Sequence, residues 1–356
     1  MQVPVLETQR LLLRPWRASD AEAMFAYAQD PEVGPNAGWK PHQSLEESRE
    51  RAARWAQGED ADWLWAITVK GEEDRPVGSL GLHEHNMRST LPGSRELGYV
   101  LARSHWGRGF MTEAARAALD YAFAQQHLPL ITVGHYPFNH RSRRVIEKLG
   151  FTYEGTLRRT AVRFDGLVLD ECVFSMTAAD YWLLRARRQG LSLVLPEELD
   201  REAILAYQEE WDEDEATPWA AHLRGRSFEA WLARSIAWRE QADPGYSTAH
   251  TWFLVGEDGA LLGALDLRHE LNEKLLRDGG HIGYGVRPRE RGKKLAPCML
   301  ALGLEKAKER GIPRVLVCCD EDNPASARTI EDCGGLLENT FPEEDGSMVR
   351  RYWITL

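Results

Sequence analysis

Short apolar runs separated by polar turns organise the first half of the chain and predict strands. Such runs are rich in Leu, Val, Ile, Trp and Tyr, most of which suit a pleated sheet. The predicted strands are 11–16, 63–69, 76–85, 96–101, 130–136, 151–158 and 168–177. Longer stretches between them predict helices: 19–29, 44–57, one after Gly109, and 140–149.

The same order of elements begins again after residue 190. Strands are predicted at 191–195, 281–286 and 314–320, hairpins over 251–267 and at the chain end, and helices at 196 onward, 227–241, before Gly311 and from Asn323. A repeated order of this length indicates two copies of one fold, not a solenoid, whose repeats are far shorter. The boundary falls in the short basic stretch 181–190, which gives predicted domains of 1–182 and 190–356.

Composition agrees with two globular domains. The 356 residues are 43% hydrophobic and 28% charged, which is enough for two cores of ordinary size. We find no secretory leader and no apolar run long enough to cross a bilayer. Five cysteines lack metal-ligand spacing. We therefore expect a cytoplasmic protein with reduced thiols and no metal site.

Charge is divided unevenly between the two halves. Residues 1–190 contain 24 acidic and 24 basic side chains, whereas the remainder contains 31 acidic and 20 basic ones. The second half therefore carries the whole net charge of −11. An acidic chain binds nucleic acids and anionic membranes poorly. A cationic substrate or partner would suit the second half, and a solvated acidic face is an equal alternative.

The stretch from Glu96 to Ala115 carries the candidate chemistry: a strand, a turn with two glycines, and a helix. Gly107 and Gly109 let a ligand approach the backbone and permit positive φ angles. The first amides of the following helix favour a phosphate or diphosphate group. Arg103 and Arg108 add positive charge nearby. An ordinary turn is the alternative, because the spacing matches neither a dinucleotide fold nor a P-loop.

The place of this turn after the fourth predicted strand, together with Trp-Gly-Arg-Gly-Phe-Met, makes the first half resemble the GNAT superfamily of N-acetyltransferases. The likeness is greatest to the branch that acetylates ribosomal-protein N-termini and small amines. It implies an α/β (α+β) fold whose mixed, mostly antiparallel sheet, flanked by helices, splays between its fourth and fifth strands. It also implies acetyl-CoA as cofactor, with its diphosphate at the turn. The implied cofactor residues are Val100, Leu101, Arg103, Trp106, Gly107, Arg108, Gly109, Phe110, Met111, Thr112, Asn139 and Ser142.

The second copy resembles another GNAT branch, that of uncharacterised predicted acetyltransferases, through Gly279–Tyr284 and Asp320–Ala327. Its phosphate loop departs from the pattern, because Lys294 stands where the central glycine is expected. The lysine side chain would either crowd the phosphates or pair with them. The implied cofactor residues of this copy are Val286, Arg291, Gly292, Lys293, Lys294, Ala296, Asn323 and Ser326.

In this family the acceptor amine attacks the thioester directly, and a base must take its proton. Glu96 is the candidate base of the first copy, acting directly or through one water. His281 holds a similar place in the second copy. A surface glutamate and a structural histidine are the respective alternatives. Trp39 and His42 lie in the loop where the family builds its acceptor pocket, and the resemblance offers them as substrate-contact residues.

Two further positions bear on catalysis. Asn139 and Asn323 each precede a late helix and cap it, either alone or together with contact to the pantetheine arm. Many GNAT enzymes use a tyrosine seven residues later as general acid, but Ile146 and Ile330 stand there. The leaving thiolate then takes its proton from water or another group, or a copy is catalytically weak.

The sequence therefore predicts an acetyl-CoA-dependent N-acetyltransferase with a primary amine as acceptor. We expect the first copy to be competent, since its loop keeps both glycines. In the alternative, one of the two copies is a non-catalytic acyl-CoA-binding or dimerisation module, and the second copy is the preferred candidate for this role. The acceptor is a small molecule, such as an aminoglycoside-like or polyamine cation, or a peptide N-terminus. Both a monomer and a homodimer are compatible with the sequence.

Overall fold

The structure is a computed structural model that describes residues 3–58, 63–85, 88–212, 217–343 and 346–356. The chain divides into two compact units, Met1–Thr177 and Ala178–Leu356. A helix, Ala178–Arg188, begins the second unit, and Tyr181 and Trp182 are buried there. The predicted domain limits, 182 and 190, lie within this helix and just after it.

One eight-stranded sheet forms the framework of the first unit. Its strands are β1 (Leu6–Glu7), β2 (Leu11–Pro15), β3 (Trp63–Val69), β4 (Gly78–His83), β5 (Arg95–Leu101), β6 (Leu130–His135), β7 (Thr152–Val162) and β8 (Val168–Thr177). The order is β1-β2-β3-β4-β5-β6-β8-β7, and every neighbouring pair is antiparallel except β5 with β6. The unit's helices are α1 (Ala21–Ala28), α2 (Leu45–Gln57), α3 (Phe110–Ala124) and α4 (His140–Leu149).

Side chains of β3 show why helices lie on both faces of this sheet. Successive residues of a strand point to opposite faces. Trp63 and Trp65 meet Tyr121 of α3, at 5.1 and 5.9 Å between ring centroids. Leu64 and Ala66 belong instead to the cluster formed with α1 and α2. A strand that is apolar on both faces therefore forms the centre of a three-layer unit.

The sheet separates between β5 and β6. These strands pair in parallel only where Arg95 lies opposite Ile131 and Glu96 opposite Thr132. Beyond Glu96, no strand among the described residues pairs with that edge of β5. The mixed, mostly antiparallel sheet with a splay at this point confirms the predicted fold class.

The second unit repeats this order in two separate antiparallel sheets, β12-β11-β10-β9 and β13-β15-β14. The strands are β9 (Ser192–Val194), β10 (Ala249–Val255), β11 (Leu261–Arg268), β12 (Ile282–Val286), β13 (Arg314–Asp320), β14 (Leu336–Pro342) and β15 (Met348–Thr355). The helices are α5 (Ala178–Arg188), α6 (Arg201–Gln208), α7 (Phe228–Ala237), α8 (Leu295–Glu309) and α9 (Pro324–Asp332).

Hydrogen bonds of one histidine join the two sheets of the second unit. The backbone N–H of His281 donates to the carbonyl oxygen of Leu316 at 2.7 Å. The N–H of Leu316 donates in return to Nδ1 of the His281 ring at 2.9 Å. His281 precedes β12 and Leu316 lies in β13, so this contact stands where β5 and β6 begin to separate in the first unit.

Two helices of the second unit differ from the sequence prediction. The segment Pro196–Glu198 forms a single 3-10 turn, and α6 begins only at Arg201. The reason is the cap, because the side chain of Asp200 accepts the N–H of Ala203 at 3.0 Å. The helix predicted to reach residue 241 ends at Ala237.

Candidate active site

A cavity of about 400 Å³ opens where β5 and β6 separate. Its wall includes β5, the turn before α3, the end of β6 and the start of α4. Most of the cofactor residues predicted for the first copy line it: Val100, Leu101, Trp106, Gly107, Gly109, Phe110, Met111, Thr112, Asn139 and Ser142. Arg103 and Arg108 do not line it, since Arg103 pairs with Glu32 at 3.1 Å and Arg108 lies 4.7 Å over the ring of Phe110.

The turn between β5 and α3 has the backbone that a bound anion requires. Gly107 and Gly109 have φ angles of 74° and 79°, in the left-handed region that glycine adopts readily. A Cβ on Gly107 would have no atom within 4 Å, so the space beside it is open. No side chain caps α3, and its first backbone bond runs from Glu113 N–H to the Gly109 carbonyl. The amides of residues 110–112 thus precede the intrahelical bonds and suit a diphosphate.

Long-range contacts hold this turn in place. Arg10 donates through Nη1 to the carbonyl oxygen of Arg108 at 3.0 Å and through Nε to Glu113 at 2.7 Å. Trp106 donates through Nε1 to the carbonyl oxygen of Leu101 at 2.7 Å. Sequence reasoning missed Arg10, because nothing local relates a residue before β2 to a turn 98 positions later.

The start of α4 forms the facing wall. Asn139 caps the helix by accepting the N–H of Ser142 at 3.1 Å, and its Nδ2 donates to the carbonyl of Asn36 at 3.1 Å. The hydroxyls of Tyr99 and Ser142 lie 2.8 Å apart. Burial raises the pKa of Tyr99 to about 12. Tyr99 is therefore a neutral hydroxyl that links β5 to α4.

Carboxylates converge at the end of the cavity where β5 and β6 still pair. An oxygen of Glu96 lies 2.5 Å from Nη1 of Arg88, and Arg88 also pairs with Glu171 of β8. Burial alone would lower the pKa of Arg88, but the two carboxylates outweigh it and raise that pKa. Gly134 of β6 lies beneath, since a Cβ there would come within 2.5 Å of Arg88 and 2.8 Å of Glu171. The cavity thus ends in an ion-paired cluster with two acidic groups and one basic group.

The loop after α1 contributes different residues from those predicted for acceptor binding. Neither Trp39 nor His42 is among the described residues that line the cavity, whereas Val33, Asn36 and Ala37 are. His42 hydrogen-bonds through Nδ1 to Ser48 at 2.7 Å, and Trp39 packs 5.6 Å from the His42 ring. Burial, followed by the charge of a nearby arginine, lowers the pKa of His42.

The second unit keeps the shape of the phosphate loop with a different residue. Lys294 has φ 60° and ψ 31°, close to the geometry of Gly109, and Gly292 has φ 79°, like Gly107. A left-handed conformation costs an L-residue about 1–2 kcal/mol. Lys293 forms an ion pair with Glu290 at 2.7 Å, and Arg291 lies 5.4 Å over the ring of Trp211.

Two further cofactor residues predicted for the second unit, Asn323 and Ser326, reproduce contacts of the first unit. Asn323 accepts the N–H of Ser326 at 3.0 Å, and Ser326 lies 2.9 Å from the hydroxyl of Tyr284. Val286 ends β12, and Ala296 lies in the first turn of α8. Backbone and caps are thus common to both units.

His281 is embedded in the second unit. It is 7% exposed, and Nδ1 accepts the N–H of Leu316. Burial, followed by the charge of Arg268, lowers the pKa of His281 to about 4. The ring is therefore neutral at pH 7, with its proton on Nε2.

Several residues on the cavity were missed by sequence reasoning. Three are basic side chains of α4 that line the cavity: Arg141, Arg144 and Lys148. Their clustering was readable from the sequence, because α4 is strongly amphipathic. Tyr136, Arg88 and Glu171 also line the cavity. They come from separate elements, so no local pattern groups them. The described residues contain no group of three potential metal ligands and no helix long and apolar enough to cross a membrane.

Comparison with known proteins gives a consistent result. The family model of the acetyltransferase (GNAT) domain matches residues 10–152 and 191–335. Uncharacterized N-acetyltransferase p20 of Bacillus licheniformis is 32% identical over 178 residues, which cover 49% of this chain and 97% of that protein. [Ribosomal protein uS5]-alanine N-acetyltransferase of Escherichia coli (strain K12) is 33% identical over 85 residues, or 24% of this chain and 43% of that one. The crystal structure of an acetyltransferase (GNAT family) from Bacillus anthracis has 24% identity and a TM-score of 0.43, over 49% of this chain and 98% of that chain.

Proposed function

The chain belongs to the acetyltransferase (GNAT) domain family, and on that premise we propose that its first unit transfers an acetyl group from acetyl-CoA to a primary amine. The observation that carries the proposal is the open glycine turn at the start of α3, placed beside the separated edge of β5. The thioester supplies an activated acetyl group. The residues described above would bind and orient both substrates.

We assign the ends of the cavity to different parts of the reaction. The amides of residues 110–112, with the basic side chains of α4, would bind the diphosphate. The unpaired edge of β5 would bind the pantetheine arm as an added strand. One of its N–H groups would then donate to the acetyl carbonyl, a type of contact whose loss usually costs ~3–4 kcal/mol of transition-state stabilisation.

The acidic end of the cavity would receive the acceptor. An ammonium group is attracted by Glu96 and Glu171, whose combined charge exceeds that of Arg88. Glu96 lines the cavity at this end, and we assign proton removal to this carboxylate or to a group that it supports. This favours a cationic amine, such as a polyamine, an amino-sugar or a peptide N-terminus.

A matched pair of variants tests the proposal in the full chain. Gly107→Val and Gly292→Val change equivalent turns, and a Cβ at either position meets no atom within 4 Å. The backbone cost is therefore similar in both variants. Thiol release from acetyl-CoA is measured over a panel of polyamines, amino-sugars and peptides. We expect Gly107→Val to weaken acetyl-CoA binding roughly tenfold or more, and Gly292→Val to retain turnover. Absence of amine-dependent thiol release in the unmodified protein would refute the proposal.

A second proposal concerns the second unit, which we infer to be non-catalytic. Its acceptor side is filled by an ion pair, since Arg268 Nε lies 2.7 Å from Asp266, and these side chains are only 19% and 4% exposed. Arg268 also donates to the carbonyl of Gly279 at 2.9 Å. A guanidinium at this position cannot accept a proton from an ammonium acceptor. Binding of acyl-CoA without transfer is the remaining function for this unit, and two-site calorimetric binding with one-site turnover would support it.

A further inference from the structure

A histidine lies beside Glu96 on the neighbouring strand. The antiparallel register of β4 and β5 places His83 opposite Glu96 and Gly81 opposite Gly98. Glu96, Gly98 and Val100 alternate along β5 and share one face of the sheet. Val100 packs against the cluster formed with α1 and α2, so this is the face where those helices lie. Side chains directly opposite in such a pair have Cβ atoms about 4.5–5.5 Å apart.

The imidazole ring of His83 covers both glycines. A Cβ on Gly81 would lie 2.7 Å from His83 Nε2, and a Cβ on Gly98 would lie 3.0 Å from the same atom. The ring therefore occupies the space that two absent side chains leave, and it is only partly buried. Gly98 itself lines the cavity, as does Glu96. Nε2 thus lies over Gly98, in the segment of β5 that lines the cavity.

We propose that His83 takes the proton from the acceptor amine and that Glu96 stabilises the resulting imidazolium. This rests on the proposed acetyl transfer by the first unit. Glu96 pairs with Arg88 at 2.5 Å, and Arg88 is shared with Glu171, so the cluster keeps a net negative charge beside His83. Imidazole is the side chain that ordinarily changes charge between pH 5 and 8, which suits general base catalysis. Leu64 of β3 lies 3.0 Å from a Cβ on Gly81 and adds an apolar contact there.

The bound ammonium first releases one proton to solvent. The neutral amine nitrogen then forms the new bond to the acetyl carbon, and the second proton moves from nitrogen to Nε2 of His83. The carbon–sulfur bond breaks, and its electron pair stays on sulfur. The proton is then returned to that sulfur or to water, and His83 is again neutral.

The second unit shows the same position without a base. Arg268 ends β11 and donates its backbone N–H to the carbonyl of His281 at 2.8 Å, as expected for the counterpart of His83. Its Nη2 atom would lie 3.1 Å from a Cβ on Gly283, the counterpart of Gly98. A guanidinium accepts no proton. One unit thus carries a proton acceptor over this glycine, and the other carries a permanent cation.

Chemical rescue tests this assignment in the full chain. The substitution His83→Ala removes the ring and leaves a space of its shape. With acetyl-CoA and the best acceptor of the amine panel, we expect kcat/KM to fall about 100-fold. Imidazole added to the assay should restore activity in proportion to its concentration. The ring 1,2,4-triazole has the same shape and is far less basic, so it should restore little.

Controls separate proton transfer from packing. Calorimetry should give the same acetyl-CoA affinity for His83→Ala as for the unmodified chain, which also demonstrates folding. His127→Asn, outside the cavity, should retain activity and respond to neither ring compound. Equal rescue by imidazole and triazole, no rescue by either, or full activity of His83→Ala would each overturn the assignment. If the unmodified chain acetylates no amine, the proposed function fails instead, before the variant is tested.

Discussion

At the scale of single residues, the two phosphate loops show how one backbone is reached from different side chains. Gly109 adopts its left-handed conformation without a Cβ penalty. Lys294 adopts nearly the same angles and bears that penalty. The surrounding fold therefore imposes the shape of the loop, and the positions of glycines in the sequence do not by themselves predict that shape.

Replacing Lys294 by glycine should stabilise the second unit. Removing the Cβ relieves the left-handed strain, and we expect a gain of about 1 kcal/mol. For a unit of this size that corresponds to a rise in melting temperature of about 2–4 °C. Thermal unfolding followed by circular dichroism measures it. Lys293→Gly is the control, because Lys293 is not in the left-handed region, and it should give no increase. Equal melting temperatures for both variants would contradict this account.

The substitution Glu96→Gln should slow acetyl transfer without loosening the fold. Arg88 keeps Glu171 as a partner, so no buried cation is left alone. We expect kcat/KM to fall about 100-fold, because the proton-accepting group loses a negative charge beside it, with acetyl-CoA affinity nearly unchanged. Glu147→Gln, at a surface ion pair of α4, serves as control. An unaltered kcat/KM in Glu96→Gln would remove this carboxylate from the mechanism.

At the scale of elements, α4 and α9 are capped in the same way, but their capping residues differ in their contacts with other segments. Asn139 and Asn323 each accept the N–H of the serine three residues later. Among the described residues, the Asn139 side chain also bonds to another segment, because its Nδ2 donates to the carbonyl of Asn36. Asn36 lines the cavity, so this cap also positions part of the cavity wall.

These caps give a matched pair of alanine variants. Asn139→Ala and Asn323→Ala should each lose about 1 kcal/mol of stability, because both remove one capping bond. Only Asn139→Ala should also raise the KM for acetyl-CoA, because the loop at Asn36 loses its hydrogen bond from the side chain of residue 139. Unfolding by urea and steady-state kinetics together measure both effects. A higher KM in both variants, or in neither, would mean that the hydrogen bond between Asn139 and Asn36 does not affect acetyl-CoA binding.

At the scale of the whole molecule, the two units share a framework and differ in the side chains placed on it. Each unit joins its central strand to its late helix by a tyrosine–serine contact, Tyr99 with Ser142 and Tyr284 with Ser326. Buried histidines with strongly lowered pKa values belong to the second unit. Burial, followed by the charge of Arg224, lowers the pKa of His222 to about 4, and His281 has a similar value.

The second unit should therefore lose stability in mild acid. A histidine with an unfolded pKa near 6.5 and a folded pKa of about 4 contributes stability that is fully present above pH 6.5. That contribution is lost as the pH falls towards 4, because the unfolded chain binds protons first. At about pH 5.5, His222 and His281 should each cost about 1 kcal/mol.

Melting curves between pH 7 and 5.5 measure this loss, which should lower the second unit's transition by about 5 °C. The variant His222→Asn removes one titrating group and should show a shallower pH dependence, whatever its stability at pH 7. Parallel pH dependences in the variant and the unmodified chain would exclude His222 as a source.

Much of the fold could be predicted because its signals are local. The continuous apolar run of β3 and the cap at Ser44 identify elements by themselves, and the repeated order reveals the duplication. The predicted helix ends were less accurate, as at Ala237 and Arg201, because tertiary contacts and single caps determine where a helix begins and ends. The candidate site was predicted where it is one continuous motif, around Gly107. It was missed where it assembles from distant segments.

The sequence by itself determined the family, the duplication and the glycine turn, because each of these follows from a pattern of residues that are close together in the chain. Only the tertiary structure brought Arg88 and Glu171 to Glu96 and placed His83 over Gly98. Those contacts depend on strand register and on the separation of β5 from β6. Register is a property of paired strands, and a single segment of sequence does not specify its partner.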